Sequence, residues 1–269
     1  MSHHQQHFSR RTFVQLATLG LVLPTTFSTH AEVALAVSIN RTARFRALSQ
    51  RSAKAYVQLV LNVLPDATKN TIASAQRLML SGLDELASGS FSAEIAQNIA
   101  AIKTEAANLN ALLITAPKRD MLIAISVQAD KLTEQANKTT ELLANLTKSG
   151  NAKIVAIADK QRMLSQRLAK NYFMQAANIN SLPIRQQLAS DRAEFKAGLA
   201  MLKNAPISTA SIRNDIDLCE AQWFLFETSI DKPRSRPFVM EDVAVSSERL
   251  LDITSSLSSR YEKAVKDVV

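Results

Sequence analysis

Two short stretches of this chain set an arginine, two hydrogen-bonding side chains and a lysine at the same spacing. Residues 46–56 read Arg-Ala-Leu-Ser-Gln-Arg-Ser-Ala-Lys-Ala-Tyr and residues 162–172 read Arg-Met-Leu-Ser-Gln-Arg-Leu-Ala-Lys-Asn-Tyr, identical at eight of eleven positions at an offset of 116. At about 100° per residue, Arg46, Gln50, Ala53 and Val57 share one helix face, with Ser49 and Thr42 beside it. The matching face carries Arg162, Gln166, Ala169 and Phe173, flanked by Ser165 and Ala158. Small residues there let a second helix approach closely. A guanidinium at such a seam needs a partner, because an unpaired buried charge is costly. Its planar fork suits oxyanions, which it can hold through two parallel hydrogen bonds. If the two faces oppose each other, Arg46 and Arg162 repel, and an anion between them draws the helices together, a two-state element that a ligand can bias. The plainer alternative is that each arginine runs its stem along the bundle and pairs with an acid. A second, apolar stripe follows Leu48, Ser52, Tyr56 and Leu59, matched by Leu164, Leu168 and Tyr172. Arg51/Lys54 and Arg167/Lys170 fall between the stripes, on an expected wet flank.

Little else in the chain supports chemistry. All four histidines (His3, His4, His7 and His30) lie in the first thirty residues, and Cys219 is the one cysteine. Without that stretch, no Ser-His-Asp or Cys-His machinery, zinc site of His/Cys type or CxxCH haem attachment can be assembled. No enzyme activity, metal or cofactor is expected. Asp215 and Asp217 stand at i, i+2 on a helix and do not face each other. Cys219, Trp223, Phe224 and Phe226 read as a core cluster, with Cys219 a buried small hydrophobe.

The elements that must position the boxes are helices. Hydrophobic residues make up 46% and aromatic residues only 5%, with five glycines in 269 residues, a composition that favours helix over strand. The repeat also extends beyond the boxes. Gly82-Leu83 falls on Gly198-Leu199 at the same offset. With a drift of one or two residues, Ile95 and Ile99 fall on Ile212 and Ile216, and Asp130-Lys131-Leu132 on Glu248-Arg249-Leu250. The chain is a tandem duplication, with units at 32–149 and 150–269. Pro65, Gly89 and Pro117 interrupt the first unit, Gly150 separates the two, and Pro183, Pro206 and Pro233/Pro237 interrupt the second. Apolar residues recur between these breakers at three- and four-residue spacing, as at Ile95, Ile99, Ile102 and Leu109. Eight helices are expected, near 33–64, 66–88, 92–115, 118–148, 152–181, 183–204, 208–230 and 237–267, with Ser92 and Ser208 as N-caps. Short connections make consecutive helices antiparallel, so the expected fold is all-α, with two tandem antiparallel four-helix units. Whether the two bundles stack end to end or merge stays open at this level.

Residues 1–31 have the order of an export signal. Ser9-Arg10-Arg11-Thr12-Phe13 precedes an apolar run from Val14 to Leu23, closed by Pro24, with small-residue exits after Ala31 or Ala36. The paired arginines before Phe13 match the twin-arginine type. Cleavage after Ala31 removes two arginines and no acid, lowering the net charge from +8 to +6. The expected location is the periplasm, reached by the twin-arginine route. Basic residues spread along the helices without a patch, and with export they argue against a nucleic-acid partner.

The segment Ala158-Asp-Lys-Gln-Arg-Met-Leu-Ser-Gln-Arg-Leu-Ala-Lys170 closely resembles the signature box of the PilJ-type domain. That domain is the N-terminal part of type IV pilus methyl-accepting chemotaxis transducers, related to the periplasmic sensors of nitrate/nitrite-responsive histidine kinases. Ser247-Glu-Arg-Leu-Leu-Asp-Ile-Thr254 also resembles the family's fourth helix, and the resemblance spans both copies. It implies an extracytoplasmic helical sensor. In the nitrate sensors, box arginines of two subunits grip one anion across a dimer seam, and the positions matching them are Arg46 and Arg162. The tandem copy then imitates that dimer within one chain. The expected ligand is a small oxyanion, nitrate or nitrite first, held by Arg46 and Arg162 with help from Ser49, Gln50, Ser165 and Gln166. Two departures stand out. The family's Ala-Gly-Arg-Gln before the key arginine is Ala43-Arg44-Phe45 in the first copy and Asp159-Lys160-Gln161 in the second. The chain also carries no kinase or methyl-accepting output domain, so a signal must pass to an envelope or membrane partner. The rival expectation is a structural or interaction module of the envelope that binds no small molecule. The oligomeric state is not set by the sequence.

Overall fold

The computed structural model describes the backbone of residues 26–268, apart from 88, 147–149, 233 and 235, and side chains between 33 and 267. Its elements are α1 (Thr26–Val60), α2 (Pro65–Ala87), α3 (Ala93–Leu113), a 3-10 turn (Arg119–Met121), α4 (Leu122–Asn145), α5 (Asn151–Ala176), α6 (Leu182–Asn204), α7 (Ala210–Ile230) and α8 (Pro237–Val268). No strand occurs among the described residues. The fold is all-α, as expected. The expected leader falls mostly outside the described residues, and α1 is already helical across the Ala31 exit. No helix among the described residues is long and apolar enough to cross a membrane.

The box helices α1 and α5 end earlier than expected, and for the same local reason. Asn62 and Asn178, which correspond at the offset of 116, both adopt positive φ, 54° and 60°. Around the first, the Val63 amide donates to Gln58 O at 2.9 Å and the Asn62 amide to Leu59 O at 3.1 Å. Around the second, Ile179 donates to Met174 O and Asn178 to Gln175 O, each at 2.9 Å. This is a Schellman closure, with asparagine taking the left-handed position that glycine fills most often. The expectation that these helices run to 64 and 181 followed the downstream prolines and overlooked the repeated asparagines. At the start of α3, Ser92 caps as expected by accepting from the Ile95 amide. At α7 the cap is Thr209, accepting from the Ile212 amide at 3.2 Å, and not Ser208. The Ser208 hydroxyl is buried, donating to Leu202 O at 2.6 Å and lying 2.6 Å from the Tyr261 hydroxyl.

Within each copy the four helices pack in sequence and close with the first against the fourth, α1 on α4 and α5 on α8. The two bundles are merged, not stacked. α1 packs along α5, α4 touches α5, and α8 touches α1. One continuous apolar cluster runs from Ala36 to Val265 through both copies. α1 and α5 are therefore central and surrounded, which explains why so many of their polar side chains are buried. Gly82 and Gly198 mark where each box helix meets the next helix. A Cβ on Gly82 would lie 3.0 Å from Phe45 Cζ, and one on Gly198 would collide with the Gln161 amide. Phe45 and Gln161 are equivalent, each standing just before its box arginine. Cys219, Trp223 and Phe226 are core residues as expected, but Phe224 is 68% exposed and takes no part in that cluster.

Candidate functional site

All six expected ligand-binding side chains are buried on the two central helices: Arg46, Ser49 and Gln50 on α1, and Arg162, Ser165 and Gln166 on α5. Three of them fasten each box to its own copy, and Ser165 bonds within its own helix. Ser49 Oγ lies 2.7 Å from Thr133 Oγ1 on α4, and Gln50 Nε2 donates to Thr133 Oγ1 at 2.7 Å and Asp130 Oδ1 at 2.9 Å. In the second copy, Ser165 Oγ donates to Arg162 O at 2.8 Å and Gln166 Nε2 to Ser247 O on α8 at 2.9 Å. Oε1 of both glutamines is buried without a hydrogen-bond partner among the described residues.

The two arginines behave differently. Each reaches across the α1/α5 seam to the equivalent position of the other copy. Arg46 donates to Ala156 O at 3.4 Å and to Asn137 Oδ1 on α4 at 2.9 Å. Arg162 donates to Asn40 Oδ1 at 2.8 Å. Residues 40 and 156 correspond at the offset of 116, so the seam is parallel and close to two-fold symmetric. The symmetry fails in the partners: Arg46 takes the Ala156 carbonyl and Asn137 where Arg162 takes the Asn40 side chain. Arg162 also forms an ion pair with Asp159, a fully buried carboxylate one turn earlier on α5, whereas the first copy has Ala43 at that position. Burial pushes the Asp159 carboxyl up, against the pull of Arg162 and Arg46. Burial lowers the Arg46 guanidinium to about 10, with Asp159 opposing that drop and Arg162 adding to it. Two buried cations thus share one buried carboxylate, with Glu262 and Glu141 one hydrogen bond further out on Asn40 and Asn137. Nε of Arg46 and Nε of Arg162 are both buried without an acceptor among the described residues. Asn137, the partner of Arg46, lines a cleft of about 300 Å³ between the copies, together with Lys160, Arg167 and Glu194.

The lysines expected on a wet flank are buried instead, Lys54 at 1% and Lys170 at 0% exposure. Each pairs with an acid of the opposite copy. Lys54 Nζ on α1 lies 2.5 Å from Glu248 on α8, and Lys170 Nζ on α5 lies 2.8 Å from Asp130 on α4. The Asp130/Glu248 correspondence is visible in the repeat, and so is that of the lysines. Their reciprocal crossing is not, because it depends on how the two bundles lie. The second arginine of each box then diverges. Arg51 joins Lys54 on Glu248, at 2.5 Å, while Arg167 turns to Asp191 on α6 with two hydrogen bonds of 2.5 and 2.8 Å. Ala75 occupies the position of Asp191 in the first copy, so Arg51 has no such choice. Burial alone would raise the Glu248 carboxyl, but Lys54 and Arg51 hold it down at about 2.

The remaining chemistry is sparse. No group of three His, Cys, Asp or Glu side chains suited to a metal occurs among the described residues. Burial pushes the Cys219 thiol up to about 12, which leaves it protonated and unreactive. Asp215 and Asp217 take separate partners, Arg260 at 2.5 Å and Lys203 at 2.7 Å. Compared with models of known families, with curated proteins and with solved structures, the chain matches none.

Proposed function

We propose that the chain is an exported sensory module of PilJ type, which binds a small oxyanion, nitrate or nitrite first, at the parallel seam of α1 and α5 and passes the signal to an envelope or membrane partner. The observation that carries this reading is the pair of buried arginines, Arg46 and Arg162, each with an Nε–H lacking an acceptor among the described residues and both sharing one buried carboxylate, Asp159. A buried guanidinium with unused donors is costly, and a planar anion supplies both the charge and the acceptors. The cleft beside Asn137 is the route to Arg46. Anion binding tightens the seam and so shifts α4 and α8, the helices tied to both boxes.

A second reading has its own support. The crossed pairs Lys54–Glu248 and Lys170–Asp130 join the copies, and the Gln50–Thr133 and Gln166–Ser247 bonds fasten each box within its own, so most of each box has a structural role. On this reading the chain is an interaction module of the envelope, and Asp159 permanently fills the place of a ligand.

Thermal melts in nitrate, nitrite, sulfate, phosphate and chloride separate the two. Binding to the folded state alone raises stability by about 2.7 kcal/mol at a hundredfold excess over Kd. The sensory reading expects a rise in one anion that is lost in both Arg46→Ala and Arg162→Ala. A flat response in every anion, with both variants folded, removes it and leaves the interaction module.

A further inference from the structure

The two copies differ in how they fill the space between their second and third helices. In the second copy, Phe195 on α6 stacks on Trp223 on α7, with ring centroids 4.3 Å apart and planes 20° from parallel. Phe226 lies 5.9 Å from the Trp223 ring and Lys196 Nζ stands 6.0 Å above it. At the offset of 116 kept by Gly82 and Gly198, Phe195 corresponds to Met79. At the offset of 117 kept by Ile99 and Ile216, Trp223 corresponds to Ala106. The first copy has the same helical plan with two large rings removed. The space is not closed by collapse. Two adjoining cavities of about 620 and 330 Å³ lie between α2 and α3, and both are lined by Leu80, Leu83 and Lys103. Ala106 faces the smaller one, and Leu80 is left 64% exposed.

An apolar cavity of this size between helices is a ligand site in its dimensions and its lining. The second copy shows what fits: a planar aromatic group. Lys103 adds a charge requirement in the smaller cavity, where it is the one charged lining residue and has no acid partner among the described residues; the larger cavity is lined by Asp84 as well. We propose that the α2/α3 groove of the first copy binds a small aromatic acid, its ring seated over Ala106 in the place that the Trp223 indole takes in the second copy, and its anionic group at Lys103. This site is separate from the arginine seam, so neither proposal depends on the other.

Indole-3-acetate and uncharged indole are the probes, titrated calorimetrically into the full chain. Wild type is expected to bind one equivalent of indole-3-acetate, with Lys103→Ala weakening that binding about tenfold while leaving indole unchanged. Ala106→Trp fills the groove from within and is expected to abolish both. Trp223→Ala is expected to open the equivalent space between α6 and α7 and to raise the indole stoichiometry from one to two. This last arm decides the matter should Ala106→Trp fail to fold. No binding to wild type, or binding undiminished in a folded Ala106→Trp, overturns the proposal. So does a self-association of wild type that Ala106→Trp disrupts, which assigns the groove to a second copy of the chain.

Discussion

The first copy carries Ala43, Ala75 and Ala106 where the second carries Asp159, Asp191 and Trp223. Each pair sits at one position of a shared helical plan, yet in the second copy the larger residue is buried and engaged with Arg162, Arg167 or Phe195. The positions kept alike in both copies include the box arginines, serines, glutamines and lysines, the acids facing those lysines, and the asparagines that close the box helices. The lysine–acid pairs that cross between the copies are kept on both sides, whereas Asp159 at the seam has no counterpart in the first copy. The second copy has accumulated internal ties, while the first depends more heavily on its neighbour.

That asymmetry is open to direct attack. Removing Glu248 strands the buried Lys54 and frees Arg51, so Glu248→Ala is expected to cost about 3–5 kcal/mol in urea denaturation. Asp130→Ala, at the mirror position, should cost about 1–3 kcal/mol, because Asp130 is more exposed and Arg167 keeps Asp191. Equal losses would mean that the crossed pairs are equivalent and the asymmetry carries no energy. Asp159→Asn should cost about 2 kcal/mol in an anion-free buffer; the sensory reading expects nitrate or nitrite to recover that loss, the interaction-module reading expects no recovery.

Acid separates the copies in the same way. A carboxyl depressed on folding contributes stability above its unfolded value of about 4.3 and gives it up as pH falls toward its folded value. With Glu248 held at about 2, stability should decline between about pH 4.5 and 2 by about 2 kcal/mol, and Glu248→Gln should flatten that limb. The smallest expected effects are local. Asn62→Gly and Asn178→Gly, at matching left-handed positions, should each raise stability by a few tenths of a kcal/mol, while Thr209→Ala should cost about 1 kcal/mol and melt α7 first.

Much of the fold was legible because it is written in local signals and written twice. Helix number, breakers and the Ser92 cap follow from spacing and side-chain chemistry, and the duplication follows from the box. The burial of Lys54 and Lys170 was not legible, because the wheel leaves a free flank between the two stripes, whereas α1 and α5 are enclosed on several sides. The merged arrangement was hidden for the same reason: no property of α1 alone says that another box helix covers it. Asp159 was visible as a departure before the key arginine, but its role as counter-ion depends on the seam being closed. Ser208 and Thr209 both satisfy the rule for an N-cap. Only the position of Tyr261, fifty-three residues downstream in sequence, decides which hydroxyl turns inward.

Asp159 has one more consequence, in the parity of the site. A symmetric pair of identical subunits can change its central charge only in steps of two, since every acid introduced appears on both sides. Two box arginines then hold either no internal acid or two, and the site is either strongly cationic or neutral. Joining the halves in one chain permits the odd count. With Asp159 present and Ala43 uncharged, the two buried box arginines share a single buried carboxylate, an odd count that no symmetric dimer of either half can reach.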